Sequence, residues 1–171
     1  MKALILSWLI GLQWTPADRA TETPETRLER LTTIAESVAE LTRGDARKAA
    51  FVLVQFNEET HFDRNVQMCQ CRRFECDPIK TPDGIVHRAH SLSQAHDVNF
   101  RDLAGWWSVC DTTRAAVDAN VRVVLRSYVA DNLACGYAHL GGGSLRCAFY
   151  DPKDSPRARK AEALSGRIGG R

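Results

Sequence analysis

The sequence predicts a single, mainly α-helical domain, and three observations lead to that prediction. The chain has 171 residues, which suits one compact domain. Hydrophobic residues make up 44% of it and charged residues 26%, a composition typical of a globular protein. Apolar residues recur at helical spacing over 24–43 and 112–132, and 46–58 is apolar on every face. Helices are therefore expected to form most of the structure.

Residues 1–20 are expected to form a distinct, signal-like N-terminal segment. Lys2 precedes an apolar run from Ala3 to Leu12, an arrangement typical of a signal peptide. The alternative is a short helix that packs on the domain. The run is too short to cross a membrane, and the chain contains no longer one. We therefore expect an exported protein, periplasmic or extracellular, with no stable membrane span.

The first long helix is predicted over 24–43. Thr23 provides a hydroxyl N-cap, and Pro24 occupies the first helical position, where a missing N–H costs nothing. Gly44 is expected to end the helix, and Asp45 can cap the next one.

The second helix, over 46–58, is expected at the centre of the domain because every face of it is apolar. Glu58 and Glu59 follow at its C-terminal end, beside the negative end of the helix dipole. The neighbouring Phe56 and Phe62 would exclude water from Glu59. Burial, the dipole and the adjacent like charge all favour a protonated carboxyl at neutral pH, which is the form that a general acid needs.

Six cysteines indicate a crosslinked region after this helix: Cys69, Cys71, Cys76, Cys110, Cys135 and Cys147. Their even number suggests up to three disulfides and an oxidising destination. Zinc and free buried thiols are the alternatives, but the spacing Cys69-x-Cys71-x4-Cys76 lacks the CxxC knuckle of common zinc sites. We expect disulfides, no metal, and a cysteine-rich loop or small hairpin around Pro82-Asp83-Gly84.

The last segment, 151–171, is predicted to be a basic flexible tail. It carries six basic and three acidic side chains and contains two prolines. The globular domain is accordingly expected over 24–150. The net charge of the whole chain is only +2, from 23 basic and 21 acidic residues, so no nucleic-acid partner is expected.

Three segments resemble a known family and occur in that family's order. Glu59-Thr60-His61-Phe62-Asp63 resembles the Glu-Ser-x-Phe-Asp segment of soluble lytic transglycosylases and goose-type lysozymes, members of the lysozyme-like superfamily. Ala89–Gln94 looks like the family's Gly-Leu-Met-Gln segment, and Gly136–Gly141 is similar to its Ala-Tyr-Asn-x-Gly segment. The resemblance covers about 46–143 and implies a lysozyme-like helical domain.

The activity that this resemblance implies is cleavage of peptidoglycan at the β-1,4 bond between N-acetylmuramic acid and N-acetylglucosamine. Such an enzyme needs no cofactor, and we expect a monomer. Glu59 would be the general acid, because the phenylalanine of the motif lies three residues after it; Glu58 is the alternative. The implied substrate contacts are Ser91, Leu92, Gln94, Tyr137 and His139.

The resemblance leaves hydrolase and transglycosylase open. An inverting hydrolase needs a second carboxylate about 6.5–9.5 Å from the acid, and Asp97 and Asp63 are the candidates. In a transglycosylase Glu59 acts as acid and then as base, while the muramyl 6-hydroxyl closes a 1,6-anhydro ring. The alternative to either enzyme is a catalytically inactive lysozyme-like module that binds the cell wall or has a structural role.

Overall fold

The computed structural model describes residues 1–70, 78–80, 86–96, 108–130 and 156–170. The chain opens with helices α1 (Lys2–Ile10), α2 (Pro16–Thr21), α3 (Pro24–Leu41), α4 (Ala46–Thr60) and α5 (Arg64–Gln67). Strands β1 (Pro78–Lys80), β2 (Val86–His90) and β3 (Ala95–His96) follow, and then helices α6 (Arg114–Ala130) and α7 (Pro156–Ile168). The predicted mainly helical class is confirmed.

Helix α4 lies at the centre of the core, as predicted. It packs against α3, α6 and α7, and Phe51, Val52, Leu53 and Phe56 are fully buried. A helix that is apolar on all sides removes its side chains from water only when other elements pack around it. α4 continues two residues past the predicted end at 58, which places both glutamates inside its last turn.

The predicted helix starts are confirmed at atomic detail. The Thr23 side chain accepts a hydrogen bond from the Thr26 N–H and caps α3. The Asp45 carboxylate accepts hydrogen bonds from the N–H groups of Arg47 and Lys48 at 3.0 and 3.1 Å and caps α4. Each cap satisfies backbone donors that have no partner inside the helix.

The N-terminal apolar segment is a helix packed into the core. Ile5 and Leu9 of α1 are fully buried in the same cluster as α3 and α4, and the Trp8 ring meets the Phe62 ring edge-on, with centroids 6.0 Å apart. This is the packing that the alternative interpretation of residues 1–20 describes. Across the described residues, the helices lack the length and apolar character that crossing a membrane requires.

The predicted hairpin is confirmed. Strands β1 and β2 are antiparallel, with Ile79 opposite His87, and the predicted turn at 82–84 lies outside the described residues. β2 then turns directly into β3, with His90 opposite Ala95. Residues 91–94 form the tight connection between these two strands, and the left-handed backbone of Ser91 and Gln94 makes the reversal possible.

The prediction of a flexible tail over 151–171 is wrong for residues 156–168. These residues form α7, which packs against α4. Its buried side chains, Ala158, Ala161, Leu164 and Ile168, recur at intervals of three and four and make one apolar stripe. Of the basic side chains that suggested a tail, Arg159 and Arg167 are exposed, whereas Arg157 and Lys160 form ion pairs with glutamates of α4.

Candidate functional site

The end of helix α4 holds Glu59 in a fixed place. The buried Thr60 hydroxyl donates a hydrogen bond to the Phe56 carbonyl at 2.7 Å and accepts one from the Phe62 N–H at 3.1 Å. His61 takes a left-handed conformation, φ 50°, and ends the helix. A rigid central helix therefore presents the Glu59 carboxylate at the surface of the domain.

The immediate partners of Glu59 are polar, not the apolar surroundings that the sequence suggested. Glu59 Oε1 accepts hydrogen bonds from Gln55 Nε2 at 3.1 Å and from Arg157 Nη1 of α7 at 2.7 Å. The Glu59 side chain remains 29% exposed. Phe56 and Phe62 are buried in the core, while the carboxylate stays partly open to water.

Glu58 forms ion pairs of its own with α7. Its Oε1 lies 2.6 Å from Lys160 Nζ, and its Oε2 lies 3.8 Å from Arg157 Nε. Arg157 therefore bridges the two glutamates. Arg157 and Lys160 lie in 151–171, which was predicted to be a flexible tail, so neither was predicted as a site residue. The sequence did contain a signal for them. Apolar residues at helical spacing predict an amphipathic helix here, and the two cations lie three residues apart beside that apolar stripe.

Phe62 anchors the segment that follows Glu59. Its ring is 1% exposed and packs edge-on against Phe56, with centroids 6.3 Å apart. Its carbonyl accepts a hydrogen bond from Arg30 Nη1 at 2.9 Å. The turn after α4 is therefore held by two contacts of Phe62, one through its ring and one through its carbonyl.

Arg30 belongs to a buried polar network that lies under this turn. Its guanidinium donates two hydrogen bonds to the Glu22 carboxylate, at 2.6 and 3.0 Å, and a third to Gln67 Oε1 at 3.1 Å. Both ends of the Arg30–Glu22 pair are almost fully buried. A buried ion pair is tolerated only when its remaining donors are also satisfied, and here the Phe62 carbonyl and the Gln67 amide satisfy them.

Ser91 and Leu92 lie inside the molecule, although the resemblance implies side chains that line a cleft. Ser91 is fully buried, donates a hydrogen bond to the Gln67 carbonyl at 2.8 Å and accepts one from Asn120 Nδ2 at 3.1 Å. Leu92 is fully buried in the main apolar core. Gln94 is partly buried, and its Nε2 donates to the Ser91 carbonyl at 2.8 Å. These contacts fold the connection between β2 and β3 and place Ser91 and Leu92 where substrate cannot reach them.

The candidate second carboxylate Asp63 is a helix cap. Its Oδ1 accepts hydrogen bonds from the N–H groups of Asn65 and Val66 at 2.8 and 3.2 Å, and its Oδ2 accepts one from the Thr15 hydroxyl at 3.4 Å. The other predicted site residues, Asp97, Tyr137 and His139, lie outside the described residues.

A second cluster of reactive side chains is connected to the buried network through Gln67. Cys69 and Cys110 form a disulfide, which confirms that the chain contains crosslinked cysteines; the other four lie outside the described residues. His90 Nδ1 lies 3.8 Å from the sulfur of each cysteine. Sequence reasoning could not select this pair, because the two cysteines are 41 residues apart.

A surface cavity of about 610 Å³ opens at the other end of α4. It is lined by residues of the α3–α4 connection and of α7, among them Asp45, Arg47, Glu162 and Ser165. Glu59 lies thirteen residues beyond Ala46, which also lines this cavity, and that is about 20 Å along α4 at 1.5 Å per residue. This cavity is therefore separate from the candidate site.

No family model, curated protein or solved structure matches this chain. Function must consequently be inferred from the residues and their geometry.

Proposed function

We propose that this protein cleaves the β-1,4 bond between N-acetylmuramic acid and N-acetylglucosamine in peptidoglycan, with Glu59 as the general acid. The observation that carries the proposal is the placement of Glu59. Glu59 lies in the last turn of the central helix, its carboxyl is held in one orientation by Gln55 and Arg157, and 29% of its side chain is exposed to solvent. A general acid has to meet both requirements, because it must be positioned and its substrate must reach it.

The free oxygen of Glu59 is the one that would transfer the proton. Within the described part of the chain, both hydrogen bonds to Glu59 end on Oε1. Oε2 is thus available to donate a proton to the glycosidic oxygen as that bond breaks. Arg157 forms an ion pair with this carboxyl, so substrate binding has to separate the two before Glu59 can act as an acid.

The capping role of Asp63 removes one of the two candidate second carboxylates and thereby favours a lytic transglycosylase over an inverting hydrolase. A carboxylate that activates water needs a free oxygen, whereas both oxygens of Asp63 accept hydrogen bonds within the fold. In the transglycosylase route Glu59 protonates the leaving oxygen and then, as a carboxylate, removes the proton of the muramyl 6-hydroxyl as the 1,6-anhydro ring closes. No second carboxylate takes part.

The test compares wild type with Glu59→Gln and Glu58→Gln on purified cell walls. Each substitution removes one carboxylate from the same helix end, so Glu58→Gln is the matched control. We expect Glu59→Gln to lower the rate of wall solubilisation by about 10²–10⁴-fold and Glu58→Gln to change it by only a few-fold. Equal rates for wild type and Glu59→Gln would refute the assignment.

Product analysis then separates the two reactions. Mass spectrometry of the released muropeptides should find 1,6-anhydromuramic ends; reducing ends instead would identify a hydrolase. If folded wild type shows no activity but sediments with cell walls, the alternative of an inactive wall-binding module holds. One observation favours that alternative: the Glu59 carboxylate already has a partner, because it forms an ion pair with Arg157.

A further inference from the structure

We infer that Cys69, Cys110 and His90 form a redox-controlled site for a divalent zinc ion, which binds when the disulfide is reduced. The inference is independent of the proposed glycosidase activity, since it uses neither Glu59 nor its partners Gln55 and Arg157. Nδ1 of His90 faces both sulfurs at 3.8 Å, and the three potential ligand atoms all lie within 4.8 Å of one another. Two thiolates and one imidazole are a common partial ligand set for zinc.

The observed distances are close to those that zinc requires. With Zn–S bonds of about 2.3 Å and Zn–N bonds of about 2.0–2.1 Å, a tetrahedral site separates nitrogen from sulfur by about 3.6 Å and the two sulfurs by about 3.8 Å. His90 already stands at nearly this distance from each sulfur. Once the disulfide opens, the main adjustment is the separation of the two sulfurs. Three protein ligands leave the fourth position for water or another ligand.

Gln67 connects the backbone around all three residues. Its carbonyl accepts the Ser91 hydroxyl beside His90 at 2.8 Å, and its Nε2 donates to the Asp111 carbonyl beside Cys110 at 3.2 Å. Cys69 follows Gln67 by two residues in the chain, and its N–H donates to the Val66 carbonyl at 3.0 Å. Gln67 itself is fully buried. The ligands are therefore held by the fold and not by the disulfide alone, which is the condition for metal binding after reduction.

The switch is a two-electron exchange with a dithiol reductant. One sulfur of the dithiol attacks a cysteine sulfur and breaks the protein disulfide, which releases the other cysteine as a thiolate. The second dithiol sulfur then closes the reductant's own disulfide and releases the second thiolate. The dithiol is oxidised, the cysteine pair is reduced, and two protons pass to solvent as Zn²⁺ binds both sulfurs and neutral His90.

The experiment is cysteine footprinting of the full chain. Wild-type protein is reduced with a tertiary phosphine and treated with iodoacetamide, with and without Zn²⁺, and the alkylated peptides are identified by mass spectrometry. Fragmentation of each peptide locates the alkylated residue, which is needed because Cys69 and Cys71 lie two residues apart with no Lys or Arg between them. We expect Zn²⁺ to slow alkylation of Cys69 and Cys110 by about tenfold or more, since a bound thiolate is a poor nucleophile.

The variant His90→Ala tests the third ligand, and His61→Ala is its matched control because His61 is an exposed histidine at the end of α4. We expect His90→Ala to weaken Zn²⁺ protection on the order of 100-fold and His61→Ala to leave it unchanged. Formation of the Cys69–Cys110 disulfide in oxidised His90→Ala serves as the check that the variant folds. Unprotected Cys69 and Cys110 in wild type would overturn the inference, and so would equal protection in folded His90→Ala.

Discussion

Among single side chains, Arg30 illustrates how a buried charge can be required by its neighbours. It is bonded to Glu22, Gln67 and the Phe62 carbonyl, all away from water. Removing it leaves the buried Glu22 carboxylate with a single, longer ion pair to Arg27, whose Nη1 lies 3.7 Å from Glu22 Oε1. We expect Arg30→Met to lower the free energy of unfolding by about 3–5 kcal/mol, measured by urea denaturation.

The double variant Glu22→Leu with Arg30→Met is the control for that prediction. It removes both charges, so the part of the loss that comes from leaving buried Glu22 without its closest cation should be recovered. If Glu22→Leu lowers the stability of Arg30→Met as much as an ordinary buried substitution would, the Glu22 charge was not the cause of the loss.

Asp18 provides a prediction about pH. Burial raises the pKa of its carboxyl, and the nearby Asp63 acts in the same direction, while the hydrogen bond from the Arg64 N–H and the charge of Arg30 lower it. The folded protein therefore holds this proton more tightly than the unfolded chain does. The stability that this proton supplies is complete below the unfolded pKa of 3.8 and is lost as pH rises through the folded pKa.

The variant Asp18→Asn should remove this loss. An amide can still accept the hydrogen bond that Arg64 N–H donates to Asp18 Oδ1 at 2.7 Å, but it carries no charge. We expect the stability of Asp18→Asn relative to wild type to increase as pH rises from about 3 to 7, measured by urea denaturation across that range. The exposed control Glu162→Gln should show a much smaller trend. A relative stability that falls with pH would contradict the expected sign.

Among the helices, α7 changes the interpretation of the candidate site. It supplies both cations that face Glu58 and Glu59, and it is held to α4 by an apolar stripe. Leu164→Ala removes one large side chain from that stripe, where 3% of the residue is exposed. We expect it to cost about 2–5 kcal/mol, whereas Ala163→Ser on the exposed side should stay within about 0.5 kcal/mol.

Thermal or urea denaturation measures both α7 variants. If Leu164→Ala left stability unchanged, residues 156–168 would behave as the flexible tail that composition suggested. Equal losses for Leu164→Ala and Ala163→Ser would instead mean that the helix is present without a preferred buried face.

The parts of the fold that could be predicted from sequence depend on local signals. Thr23 and Asp45 act on backbone groups two or three residues away, so their capping roles were legible in the sequence. The burial of α4 followed from its own composition. Glu59 and Arg157 are 98 residues apart, and no local pattern links them.

The burial of Ser91 and Leu92 could not be predicted for a related physical reason. Ser91 and Leu92 were assigned by similarity to a motif, which does not specify the direction of a side chain. In the structure the tight connection between β2 and β3 directs both inward, where Asn120 and Gln67 fasten Ser91. Buried hydrogen bonds of this kind depend on three separate elements meeting, which sequence spacing does not encode.

For the domain as a whole, the Cys69–Cys110 crosslink joins the end of α5 to the segment before α6. The two residues are 41 positions apart, and a closed loop of that length restricts the unfolded chain by about 4 kcal/mol in the chain-entropy model. We expect the double variant Cys69→Ala with Cys110→Ala to lose about 2–4 kcal/mol of stability under oxidising conditions. Its urea m-value should rise, because an unfolded chain without this crosslink exposes more surface.

The single variants Cys69→Ala and Cys110→Ala provide the internal control for this crosslink. Each one already removes the disulfide, so each should lose as much stability as the double variant, and the effects should not add. Additive losses would mean that each side chain stabilises the fold by its own packing. An unchanged m-value together with a stability loss would place the effect in the folded state, where His90 and the surrounding hydrogen bonds hold the two segments together.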